Sequence, residues 1–213
     1  MPFSSRPTGP SLQWGKHQRA AFCPLDQRLY FCGGDYQIIG SGANDSGRQE
    51  VYSYSVTEGD WRLEYPYSGP PGEIQPAHPD EVGWVWDSTR AVFWMIPGYQ
   101  GAVDPANPAR AQQIKGWPML FDPQTKRWTQ AAFQAPPTGE SAKFAVYDPL
   151  TDTVIRLTRN KILRLTRLAT GLTESITVRA TFNAWVAGEE YAAIAVPGRR
   201  PWHLDPVGGP LYR

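Results

Sequence analysis

VGWVWDSTRAVFWMIPG, residues 82–98, places two short apolar runs around Asp87-Ser88-Thr89-Arg90. β-Branched and aromatic residues on either side of a small polar turn are the mark of a β-hairpin. The same arrangement stands earlier in RAAFCPLDQRLYFCGG (19–34) and later in AKFAVYDPLTDTVIRL (142–157). The turn aspartates Asp26, Asp87 and Asp148 are spaced 61 and 61 residues apart. A regular period of that order makes a repeat architecture the first reading to test.

A second hairpin follows each first one. EVYSYSVTEGDWRL (50–63) and WPMLFDPQTKRWTQ (117–130) each give a strand, a turn and a strand opening on a tryptophan, Trp61 or Trp128. KILRLTRLATGLTESITV (161–178) takes that place in the third unit without the tryptophan. FNAWVAGEEYAAIAV (182–196) and RPWHLDPVGGPLYR (200–213) supply a shorter fourth unit, turning near Gly188. Units one and two carry long connections between their second and third strands, 34–49 and 98–116, where unit three has only Arg159-Asn160-Lys161. Without the long connections each unit has four strands in about 40 residues, the size of a propeller blade.

The expected fold is therefore all-β: a β-propeller of about four short four-stranded blades, closed or completed by a partner. The blades fall at 17–65, 79–132, 138–179 and 181–213, after an N-terminal arm, 1–16. A β-sandwich of similar hairpins is the alternative, although a sandwich does not require evenly spaced turns.

Leu29-Tyr30-Phe31-Cys32-Gly33-Gly34 resembles the apolar strand and double glycine of Kelch-repeat propellers, the group that includes galactose-oxidase-like domains. Tyr54 and Trp61 resemble that family's Tyr and Trp across the last hairpin. In unit two the glycines become Pro97-Gly98 and Phe121 replaces the Tyr, while Trp128 is kept. Unit three has lost both signatures. The resemblance implies six or seven blades, and this chain has room for four at most.

Of 213 residues, 21 are basic and 20 acidic, a net charge of +1, with 19% charged overall. That balance argues against a nucleic-acid partner, because counterion release needs clustered cations. The 20 Gly, 21 Pro and 9 Trp suit β-structure joined by tight turns. No apolar run reaches the roughly 18 residues of a membrane span. MPFSSRPTGPSLQWGK lacks an apolar signal region, so a cytoplasmic or virion-associated protein is expected. With Gln27-Arg28 as a hairpin tip, Cys23 falls opposite Cys32, where a cross-strand disulfide would fit. Two small buried thiols on the core face is the preferred reading.

No catalytic constellation and no cofactor site is expected. The copper site that galactose-oxidase-like enzymes need finds only His17, His78 and His203, which share no close ligand spacing. Glu189-Glu190 and Asp80-Glu81 read as turn acids. Gly40–Gly47 lacks the Lys of a phosphate loop and the acids of a calcium loop, and reads as a flexible loop.

The two long connections are the better lead. They open alike, Gly34-Asp35-Tyr36-Gln37 and Pro97-Gly98-Tyr99-Gln100, and insertions on one face of a repeat fold often bind partners. Tyr36, Gln37, Asn44, Asp45, Tyr99, Gln100, Asp104 and Asn107 are the candidate partner-binding residues, with the tyrosines as anchors. Arg156, Arg159, Lys161, Arg164 and Arg167 form a possible basic contact face. The expected function is non-enzymatic: a protein-binding or scaffolding propeller in a homo- or hetero-oligomeric assembly, such as a phage virion or tail. A carbohydrate-binding or carbohydrate-active propeller is the alternative.

Overall fold

The computed structural model describes residues 19–32, 35–37, 44–46, 50–66, 69–70, 72–76, 79–80, 82–97, 99–100, 113–114, 117–134, 142–158 and 162–177. Among them the first unit gives β1 (Arg19–Cys23), β2 (Arg28–Cys32), β3 (Asp35–Gln37), β4 (Asn44–Ser46), β5 (Val51–Ser55) and β6 (Trp61–Tyr65). The short strands β7 (Gln75–Pro76) and β8 (Pro79–Asp80) lead into β9 (Gly83–Asp87) and β10 (Val92–Ile96). Next come β11 (Tyr99–Gln100), β12 (Gln113–Ile114), β13 (Met119–Asp122) and β14 (Arg127–Gln130). The third unit is β15 (Ala142–Asp148), β16 (Thr153–Thr158), β17 (Ile162–Arg167) and β18 (Thr173–Thr177). No helix occurs among the described residues, and so none is long and apolar enough to cross a membrane.

Twelve of these strands make three four-stranded sheets, ordered β1-β2-β5-β6, β9-β10-β13-β14 and β15-β16-β17-β18. Every neighbouring pair in them is antiparallel, so each sheet is an up-and-down meander. Four hairpin turns have the same build: a four-residue loop whose last residue takes positive φ, at Gln27 (57°), Ala91 (55°), Lys126 (57°) and Asp152 (51°). The residue before the loop caps it. The backbone N–H groups of Thr89 and Arg90 donate to Asp87 Oδ1 at 2.8 and 3.0 Å. Asp122 accepts from Gln124 N at 2.8 Å and Asp148 from Leu150 N at 3.0 Å. These carboxylates take over backbone donors that a tight turn would otherwise leave unmade.

The first hairpin departs from the expected register. Cys23 pairs with Arg28, and Cys32 pairs with Arg19, so the two cysteines are not opposite each other. Pro24 ends β1, and Pro24–Gln27 is the loop, rather than a tip at Gln27-Arg28. The residue equivalent to Asp87 and Asp148 is thus Cys23, not Asp26, and its sulfur accepts from the backbone of Leu25 and Asp26 as an aspartate would. The even spacing of 61 therefore joins a third loop residue to two strand ends. Neither cysteine is disulfide-bonded, and both are buried on one face of the hairpin.

The sheets stack face to face, and their inter-sheet contacts are heaviest along the first strands: β9 touches both β1 and β15. Alternation decides what fills each gap. Trp84, Phe93, Met95, Met119, Phe121 and Trp128 project from the second sheet onto Cys23, Tyr30, Cys32, Val51 and Tyr65 of the first. Trp84 stacks on Phe93 at 4.8 Å and donates its indole N–H to the Tyr30 carbonyl at 3.0 Å. From its other face Val85, Trp94 and Ile96 meet Tyr147, Val154 and Leu168. Burial of each such side chain is worth about 1.5–3 kcal/mol, so a sheet with two apolar faces needs a neighbour on both.

The pairs singled out in the sequence do lie opposite each other, Tyr54 with Trp61 and Phe121 with Trp128. Counted from the turns, Phe22–Leu29–Tyr54–Trp61, Trp86–Phe93–Phe121–Trp128 and Tyr147–Val154–Thr166–Thr173 are equivalent rungs of the three sheets. In the second and third sheets this rung packs towards the preceding sheet. Gly33-Gly34, the arm 1–16 and the fourth unit at 181–213 lie outside the described residues.

Candidate partner-binding face

Both long connections begin where β2 and β10 end, opposite the hairpin turns. Neither starts as free coil. In the first, β3 and β4 pair antiparallel, setting Tyr36 against Asp45 and Gln37 against Asn44. In the second, β11 pairs antiparallel with β8, setting Tyr99 against Asp80 and Gln100 against Pro79. Its far end returns as β12, parallel to β7, with Gln113 beside Gln75 and Ile114 beside Pro76. The connection 98–116 thus grips, at both ends, the link between the first two sheets. Asp104 and Asn107 lie outside the described residues.

The gripped link also completes the core. Ile74 packs on the cluster between the first two sheets, and Gln75 is buried there. Arg127 Nε on β14 meets Glu73 Oε1 at 3.1 Å. Tyr65 is buried beside them, and that burial, with Glu73 adding, pushes its hydroxyl up to about 12. Gly69, at φ 57°, is required here, because a Cβ would stand 2.8 Å from Gln75 Oε1.

The basic residues of the third unit separate. Arg156 and Arg164 are partners on one rung, facing the second sheet. Arg156 is only 1% exposed, with Nη1 donating to the Pro97 carbonyl at 2.7 Å, at the root of the second long connection. Gly83 makes room for it: a Cβ there would lie 2.8 Å from Arg156 Cδ. Arg156 therefore belongs to the interior and not to an exposed basic face. Arg164 bonds Ser175 Oγ, and Arg167, on the opposite face, pairs with Glu174 at 3.4 Å. Arg159 and Lys161 lie outside the described residues, as do His17, His78, His203, Glu81, Glu189 and Glu190.

At the turn end the structure assembles two charged clusters that sequence reasoning missed. In the first sheet the buried Arg28 donates from Nε to Ser53 Oγ at 2.8 Å and from Nη2 to the Asp60 carbonyl at 3.0 Å. Its Nη1 lies 2.9 Å from Asp60 Oδ1 and 3.1 Å from Glu58 Oε2. Ser53 passes the contact on to Glu64 at 2.5 Å, and Lys126 of the next sheet closes it at 3.0 Å. A shallow cavity of about 220 Å³ opens beside Arg28, Glu58 and Arg62. Its charges are matched within the protein.

Between the second and third sheets, Arg90 bonds both oxygens of Asp152 and also Asp87. Asp87, wholly buried, further accepts from Trp94 Nε1 at 2.9 Å. The Arg90 guanidinium holds the Asp152 carboxyl below the usual carboxylate range. Burial pushes the neighbouring Tyr147 hydroxyl up to about 12. The signal for this cluster was present as an Asp-x-x-Arg turn, but only the stacking brings Asp152 to it. Among the described residues no group of three or more His, Cys, Asp or Glu could hold a metal ion.

No protein-family model matches the chain, and no curated protein matches it. Among solved structures, that of YjhT is similar, with a TM-score of 0.52 and 15% sequence identity, covering 81% of this chain and 54% of that one. The chain thus spans about half the length of that neighbour. At such identity the likeness concerns the fold alone. It agrees with what the described residues give: three stacked four-stranded antiparallel sheets and no helix, a β-propeller-like arrangement.

Proposed function

We propose that this chain is a non-enzymatic protein-binding or scaffolding propeller of Kelch type, acting as a structural subunit of a larger assembly such as a phage virion or tail. The observation that carries the reading is the pinned connection 98–116. Strand pairing at both of its ends holds the backbone around Tyr99 and Gln100 to the link between sheets. Pre-ordering of this kind lowers the entropy lost when a partner docks. The first connection adds Tyr36 on its own short hairpin. Fold likeness by itself assigns no function, so the site must bear the argument.

The carbohydrate reading draws on one feature: Trp61, half-buried, lies against Tyr54 at 4.9 Å and Phe31 at 5.1 Å, an aromatic surface on which a sugar ring could stack. Trp128 does not join it, being buried between sheets. The test is co-expression of the full chain with the products of neighbouring genes, followed by sedimentation of what co-purifies. A stoichiometric complex is expected, weakened at least tenfold by Tyr36→Ala with Tyr99→Ala and unchanged by Leu150→Ala on an exposed hairpin turn. A chain that remains a solitary monomer throughout overturns the scaffold reading, and selective retention on a glycan array favours the other.

A further inference from the structure

We infer that Arg156 is a positioning residue for the second long connection: through the Pro97 carbonyl, the third sheet sets the direction in which the backbone bearing Tyr99 and Gln100 leaves the second. Its functional meaning rests on the partner-binding reading of that connection; its geometry does not. The ladder between β9 and β10 ends at Gly83 and Ile96. Pro97 comes next, with no N–H to offer and a carbonyl beyond the last rung of its own sheet. Arg156 Nη1, from β16 of the third sheet, donates to that carbonyl at 2.7 Å. Two residues further on, Tyr99 pairs with Asp80 and Gln100 with Pro79. Between Ile96 and Gln100 the chain is thus passed from β9 to Arg156 and then to β8.

Filling the gap between sheets does not call for an arginine. Counted from the turns, the equivalent residue of the second sheet is Met95, which packs as an apolar side chain against the first sheet. At 1% exposure, a guanidinium in that place carries a desolvation cost that a methionine would not. What it adds is reach and a charge-assisted bond, stronger than a neutral one and stronger still away from water. The route is cut for it. A Cβ on Gly83 would lie 2.8 Å from Arg156 Cδ and 3.2 Å from its Cγ, and 3.1 Å from the Cβ of Ala145, the residue beside Arg156 on β15. One small residue from each sheet thus leaves a slot through which the side chain passes to Pro97. The two sheets are already joined at their turn end by Arg90 and Asp152, so this second bond is placed where the connection starts.

Amide hydrogen exchange of the full chain tests this with Arg156→Met, which puts at this place the side chain used at the equivalent one. The Tyr99 and Gln100 amides are expected to exchange at least tenfold faster than in wild type, while those of Ile155 and Leu165 in the third sheet change less than twofold. Where Arg156→Met does not fold, Gly83→Ala disturbs the same slot from the other side, and at least a threefold rise at Tyr99 and Gln100 is expected. Unaltered exchange there in a folded variant overturns the inference. So does a rise as large at Ile155 and Leu165, which would mean that Arg156 only holds the third sheet. The co-purified complex is expected to weaken at least fivefold in the same variant. Faster exchange at Tyr99 with an unweakened complex would overturn the partner-binding reading of the connection, whereas unaltered exchange counts against Arg156 whatever the complex does.

Discussion

Arg90 and Asp152, 62 positions apart, meet in two parallel hydrogen bonds of 2.7 Å each across the gap between the second and third sheets. The same guanidinium reaches the buried Asp87 at 2.7 Å, so one side chain joins two hairpin turns. Removing it leaves Asp87 without its cation. Arg90→Ala is expected to lower stability by roughly 1–3 kcal/mol, the range for stranding a buried hydrogen-bonding group. Urea unfolding followed by tryptophan fluorescence measures it, and an unchanged midpoint contradicts the role given to this cluster.

The pair also predicts how stability responds to acid. Asp152 has a folded-state pKa below its unfolded value, which is about 3.9. Its contribution is therefore complete above that value and is lost as pH falls through the lower, folded one. Asn tolerates the positive φ of position 152, so Asp152→Asn removes the titrating group without disturbing the turn. Below about pH 4 the wild-type midpoint should fall more steeply than that of Asp152→Asn. Parallel curves would show that another carboxylate dominates.

Gly83→Ala tests the interior position of Arg156. The added methyl would stand 2.8 Å from Arg156 Cδ and 3.1 Å from the Ala145 Cβ. Overpacking of this kind costs about 1–3 kcal/mol. Calorimetry should show a lower Tm for Gly83→Ala, and little change for Leu150→Ala, whose side chain is exposed on a hairpin turn. Equal Tm values for wild type and Gly83→Ala would mean that Arg156 does not occupy that gap.

The cysteines give a chemical prediction. Burial pushes the Cys23 thiol up to about 11, which leaves little thiolate to attack an alkylating agent at pH 8. Iodoacetamide should modify Cys23 at least about 100-fold more slowly in the native chain than in urea, where its pKa returns to roughly 8.5. In urea without reductant, mass spectrometry should find two alkyl groups. None would mean a disulfide, and the register of the first hairpin would have to shift.

The strands were legible because alternation and turn chemistry agreed at nearly every one of them. Register was less so. Cys23 occupies a place that three other hairpins give to aspartate, and Asp26, three residues on, offered itself as the match. The tyrosines of the long connections were found by their repeated tetrapeptide, but the pairing of β8 with β11 and β7 with β12 joins two-residue strands too short to leave a pattern. Arg28, Glu64 and Arg156 were hidden for a different reason. Alternating charge on a strand reads as a wet face, and only the stack, with Gly83 opposite, makes that face an interior. Tyr54 with Trp61 and Phe121 with Trp128 stood out in the sequence on either side of a turn. Their register, and the side of each sheet they occupy, needed the paired strands and the neighbouring sheet to define them.

The grip of 98–116 on residues 75–80 carries a lesson for anyone who would cut or graft this protein. A hairpin count suggests that the middle sheet begins at Gly83 and could be lifted out there. Its own long connection, however, is sewn to chain that precedes it, and Arg127 on its last strand is tied to Glu73. The smallest transplantable piece therefore runs from Glu73 to Gln130. An insertion between 101 and 112 would spare both seams, whereas deleting the connection as surplus would unfasten two sheets at once.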